Sequence, residues 1–182
     1  MAEITATQGS SVRADYATKH VIVNAVLFQC LWFAAILEGW QIALAPLAVL
    51  LAHFFFVVRN RSTYVACAVV VLFGCIADSV LADLGLYTFP EDNLLLLGSI
   101  PLWLCCMWVG FAASLPLSLR WLHTSPWLLI AFFAVGGPMS YYAGHKLEAL
   151  TFSIEHLPII AALWLAVGCV VLMLNQRRQA FV

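Results

Sequence analysis

Charge is what this chain has least of. Asp, Glu, Lys and Arg make up 9% of its 182 residues, against about 25% in an ordinary soluble domain. Hydrophobic residues make up 64%, and the mean hydropathy is +1.00. So few polar groups cannot cover a water-facing surface, which excludes a soluble globular protein and leaves a polytopic membrane protein. The net charge of −1 provides no basic face, which excludes nucleic acid as a partner. At ~20 residues per transmembrane helix, the chain holds six or seven spans and has no room for a separate soluble domain.

Motifs are scarce as well. No C-x-x-C occurs, and Cys30, Cys67, Cys75, Cys105, Cys106 and Cys169 all lie in apolar runs. They read as small packing residues rather than a disulfide framework or redox motif. His53 and His156 stand without an H-E-x-x-H or comparable cluster, so neither a metal nor a cofactor is expected. G-x-S-x-G, P-loop and dinucleotide fingerprints are absent, which removes the enzyme classes that depend on them. VLFQC, ending at Cys30, has the outline of a lipoprotein box, but Phe28 and Gln29 stand where small residues belong. Residues 21–37 therefore read as an uncleaved first helix.

What the chain does have is long apolar runs. Spans are expected at about 20–37, 41–58, 63–87, 94–117, from near Trp127 to at least Tyr142, and at 157–174. Residues 1–19 form a polar cytoplasmic tail, 20–176 one six-helix transmembrane domain, and 177–182 a short cytoplasmic tail. Threaded this way, Arg13, Lys19, Arg59, Arg61, Arg120, Arg177 and Arg178 share one side, and Lys146 alone is on the other. Cations mark the cytoplasmic side, so both termini are placed there. Glu38, Glu91, Asp92, Glu148 and Glu155 fall on the outer side.

GGPMSYYAGHKLEAL, residues 136–150, breaks an apolar run. Pro138 lies roughly 18 Å into the fifth helix at ~1.5 Å per residue, and a kink is expected at Gly136-Gly137-Pro138. Gly136, Ser140 and Gly144 form a stripe of small residues, a device that lets membrane helices approach. Gly74, Asp78 and Ala82 form another in the third helix. Both helices rise in the same direction. The two stripes are therefore expected to face each other or a common cavity, with Asp78 opposite Ser140 or Tyr141. Pro101, read as lying inside the fourth span, would supply a second break at that depth.

Asp78 is the residue most open to a chemical role, because a carboxylate deep in a span is unfavourable by ~2.5–3.5 kcal/mol on insertion scales. It is either a proton carrier, acid/base or headgroup ligand, or a hydrogen-bonded link between helices. Asp83 reads as a rim charge. Tyr141, His145 and Glu148 share a face and, with Glu38 and Glu155, either rim an outward pocket or form a plain interfacial loop. Lys146 suits a lipid phosphate at the mouth of such a pocket. Asn24 and Gln29 are expected to pair between helices.

DSVLADLGLY (78–87), IPLWLCCMWVGFAASLPLSLRWL (100–122) and GGPMSYYAGHKLEALTF (136–152) resemble an uncharacterised family of small bacterial inner-membrane proteins, domain of unknown function 2878. The likeness runs from about residue 22 to 175. Glu148 departs from it, standing where the pattern has glycine, which argues against a catalytic role there. The resemblance implies a multi-pass protein and an association with lipid-modifying neighbours, and it transfers no catalytic residue. The reading is thus an all-α bundle of six transmembrane helices, without cofactor, in the bacterial inner membrane. Asp78, Ser140, Tyr141, His145 and Lys146 are its ligand-binding candidates, around an outward-facing polar cavity between helices 3, 4 and 5. Gly74, Ala82, Pro101, Gly136, Gly137, Pro138 and Gly144 serve packing. The expected partners are the bilayer, a bound lipid or a lipid-modifying membrane protein, and a homodimer suits six short spans. The alternatives are a lipid-modifying enzyme using Asp78 as acid/base and a small proton-coupled transporter.

Overall fold

The computed structural model describes residues 17–91, 93–96, 99–178 and 180–181. Arg13 and Asp92 lie outside them, as does nearly all of the expected N-terminal tail. The described residues form six α-helices: α1 (Thr18–Glu38), α2 (Trp40–Val57), α3 (Arg61–Asp83), α4 (Leu102–Ser114), α5 (Pro126–Lys146) and α6 (Leu157–Arg178). A two-residue hairpin, β1 (Leu95–Leu96) with β2 (Ile100–Pro101), precedes α4. All the helices except α4 are long and apolar enough to cross a membrane.

Local chemistry sets the helix ends. Gly39, at φ 79°, turns the chain directly from α1 into α2, a backbone state without steric penalty only for glycine. The Asn60 side chain caps α3 by accepting from the Ser62 amide at 2.9 Å. Pro126 opens α5, where a missing N–H leaves no bond unmade. At the far end of α5 the Ala149 amide returns to the Gly144 carbonyl at 3.0 Å, and Glu148 takes φ 62°. This is a left-handed helix stop of the kind that favours glycine, and here a glutamate occupies it.

The helices alternate in direction. Cross-contacts at one end join His20 to His53 and Asn24 to Ser118. Thr63 meets Ala180 there, and His123 stacks on Phe181. The other end holds the Thr88–Thr151 bridge and the bond from His156 to the Leu86 carbonyl. Lys19, Arg59, Arg61, Arg120 and Arg177 therefore share the first end, and Lys146 lies at the second.

The fourth span differs most from expectation. Its helix begins at Leu102, not near 94, because Ile100 and Pro101 pair with Leu95 and Leu96 instead. Pro101 therefore caps α4 and does not break it. At ~1.5 Å per residue α4 is about 20 Å long, short of a ~30 Å hydrocarbon core. Yet all but three of its thirteen residues are buried. A helix apolar on every side belongs inside a bundle, and α4 is packed by α1, α2 and α3. It runs antiparallel to α3: Trp108 meets Asp78, and Ala112 meets Cys67. The third helix also stops sooner than expected, at Asp83 and not at Tyr87.

Candidate functional site

Asp78 has no exposed surface. Its Oδ1 accepts from the Tyr87 hydroxyl at 2.7 Å. Its Oδ2 accepts from Trp108 Nε1 at 2.7 Å and from the Tyr141 hydroxyl at 2.6 Å. The three donors come from the turn after α3, from α4 and from α5. All are neutral, and three donors on two oxygens match an acceptor-only carboxylate. Tyr87 lies beyond the end of α3, and burial, followed by the charge of Asp78, raises its pKa well above the ordinary phenol value. It therefore keeps its proton and donates.

Two glycines seat the aromatic layer beside this knot. The Trp108 and Trp164 indoles stack with centroids 5.1 Å apart and planes 20° from parallel. A methyl group on Gly74 would run into Trp108, and one on Gly137 into Trp164. The order is thus α3 backbone, Trp108, Trp164, α5 backbone. This corrects the expected pairing of small stripes. Gly74 admits an α4 indole, Gly137 admits an α6 indole, and Gly144 faces Leu150 and Ile36 of α1. Two ring thicknesses separate α3 from α5 here, and Tyr141 reaches Asp78 only through its long phenol. Ala82 is partly buried against the core.

An apolar cavity of about 140 Å³ lies between α1, α4 and α5, with Trp164 of α6 and Phe89 at its margin. It is not the polar cavity between helices 3, 4 and 5 that the sequence suggests. Ser140 and Tyr141 line it, but Asp78 does not, being sealed behind Tyr141 and Trp108. Trp32 Nε1 donates to Ser140 Oγ at 3.0 Å, tying α1 to α5. Gly136 forms part of the wall.

The remaining candidates lie apart. Lys146 is exposed, 5.4 Å over the Tyr142 ring, and does not line the cavity. His145 packs on Phe152 at 4.8 Å and donates from Nδ1 to the Leu150 carbonyl at 3.3 Å. Glu38, Asp83, Glu148 and Glu155 are exposed. Asn24 is fully buried and accepts from the Ser118 hydroxyl at 2.6 Å, whereas Gln29 faces outward.

Sequence reasoning missed Tyr87, Trp108, Trp32 and Trp164. The one available signal was Tyr87, which follows Gly85 closely enough for the chain to fold back on Asp78. It also missed the ring-to-ring hydrogen bond of His20 with His53, at 3.2 Å. At the same end His123 is held neutral, with its pKa lowered to about 4 by burial against a partly opposing hydrogen bond. Its Nε2 donates to the Leu115 carbonyl at 3.3 Å.

The chain belongs to the family described as "Protein of unknown function (DUF2878)", which matches residues 21–172. No curated protein and no solved structure matches it.

Proposed function

We propose that this is a six-span inner-membrane protein that holds the hydrocarbon part of a lipid in the aromatic cavity between α1, α4 and α5. The observation that carries this reading is the lining: aromatic and aliphatic side chains with two hydroxyls, each already hydrogen-bonded. Such a space favours an apolar guest. Residues 100–119 make the sixth crossing inside the bundle, where α4 need not match the bilayer thickness because other helices surround it. Five described cations at one end support a cytoplasmic assignment for that end, and with it for both termini. Pro138 leaves the Ala134 carbonyl without its helical donor, while α5 continues as one helix through it.

The sealed carboxylate weighs against acid/base or proton-carrying chemistry at Asp78. Its two oxygens are engaged, and no surface connects it to the cavity. Intact mass measurement of the detergent-purified protein tests the reading. Wild type and Asp78→Asn are expected to retain lipid, and Gly136→Leu to lose it. Equal retention in all three overturns the assignment to this cavity. A periplasm-dependent reporter fused after Val182 is expected to stay silent, and activity there reverses the orientation.

A further inference from the structure

The cavity has a side as well as a lining. On α1, Phe28, Trp32 and Ile36 line it at i, i+4 and i+8; on α5, Phe132, Gly136 and Ser140 do the same. All six are only partly buried. The two stripes stand on helices that pack elsewhere: α1 lies along α2 and α4, and α5 along α6. Among the described residues, the Trp32–Ser140 bond and the approach of Gly144 to Ile36 join α1 to α5, both toward the end that holds Lys146. Phe33, Val135 and Met139, beside the stripes, are exposed and apolar, so the opening lies within the lipid-facing belt. Behind it, on α4, Met107 is partly buried, and Trp103 and Phe111 are buried.

We infer that the cavity opens sideways between α1 and α5, and that one straight hydrocarbon chain of a bilayer lipid enters there, beneath a strap formed by Trp32 and Ser140. The inference rests on the lipid-binding reading and adds the route and the size of the guest. An apolar cavity of about 150 Å³ takes a benzene-sized molecule, so about 140 Å³ accommodates roughly six carbons. That is one stretch of one chain. A headgroup is excluded by size and by the lack of a charged residue in the wall. The rest of the lipid stays in the bilayer, which only a lateral opening permits. Gly136 sets the depth of the slot, because a β-carbon there would have only the Phe132 ring, 3.7 Å away, as neighbour. Larger side chains at 136 fill the slot without displacing backbone.

The test is photolabelling in vesicles of phosphatidylethanolamine and phosphatidylglycerol that contain a phospholipid with a diazirine on one acyl chain, followed by peptide mapping. Adducts are expected on Met107, Phe132 and Trp32. Gly136→Ala, Gly136→Val and Gly136→Leu are expected to lower Met107 labelling progressively, by about tenfold for leucine, as several methylenes of guest lose their burial. Trp32→Phe, which removes the strap bond, is expected to raise it. The graded series guards against a variant that fails to fold, since Gly136→Ala has open space for its methyl. Adducts confined to the outer helix faces, with lipid still retained on purification, overturn the lateral route and leave the lipid reading standing. Loss of both retained lipid and all three adducts overturns the two together.

Discussion

Asp78→Ala is expected to be the most damaging single change in the bundle, lowering stability by about 3 kcal/mol or more. The carboxylate is the shared acceptor of three donors, on Tyr87, Trp108 and Tyr141. Alanine leaves all three buried without it. One orphaned buried donor is destabilising by about 1–3 kcal/mol, and measured interhelical bonds in membranes average about 0.6 kcal/mol with a maximum near 1.7. Even the lower scale, applied three times and joined to lost packing, gives a large effect. Tyr87→Phe, Trp108→Phe and Tyr141→Phe each remove one donor and leave the acceptor two others, so each is expected to fall near 1 kcal/mol. Asp78→Asn lies between, because the amide oxygen still accepts and a phenol oxygen can accept from the amide nitrogen. Unfolding in mixed micelles titrated with SDS measures the order. Wild-type stability in Asp78→Ala, with the three single-donor variants also unchanged, removes the structural role of the knot.

The order of depths was legible in the sequence, and the faces were not. Asp78 is 17 residues from the start of α3, and Tyr141 is 15 from the start of α5. Counting rise along two helices that run in the same direction therefore brought them to one level, the direction having been set by the charge distribution. Rotation about each helix axis is a different matter. Gly74 and Gly136–Gly144 looked like complementary stripes, but a small residue specifies only that something comes close. At Gly74 and Gly137 that something is an indole from a third and a fourth helix, and no spacing rule names it. The fourth span was misplaced because hydropathy does not distinguish an apolar hairpin from an apolar helix. Ile100 and Pro101 carry the composition of a span and the backbone of a strand. The cavity was invisible for the same reason as the knot: its walls are residues of α1, α4 and α5, more than a hundred positions apart at the extremes.

Two adjacent glycines give the sharpest separation of packing from composition. Gly137→Ala is expected to destabilise by about 2 kcal/mol, within the 1–3 kcal/mol range for overpacking a tight core. Gly136→Ala is expected to be neutral or to stabilise by about 0.4–1 kcal/mol, the usual gain where alanine replaces glycine in a compatible helix. The chemistry is identical, and the neighbours decide the sign. At 136 the new methyl has open space beside Phe132. At 137 it collides with Trp164, whose ring is stacked on Trp108. Trp108 cannot withdraw, because Gly74 is behind it and its Nε1 is bonded to Asp78. Strain introduced at α5 therefore passes through two indoles to the carboxylate. It follows that Gly137→Ala and Trp108→Phe are not additive: with the smaller ring in place, the collision relaxes, and the double variant loses less than the sum of the two single losses. The same cycle with Gly136→Ala, which touches neither indole, is expected to be additive. Thermal denaturation in detergent of the six proteins decides the matter, and additivity in both cycles would mean that the two indoles do not transmit the displacement.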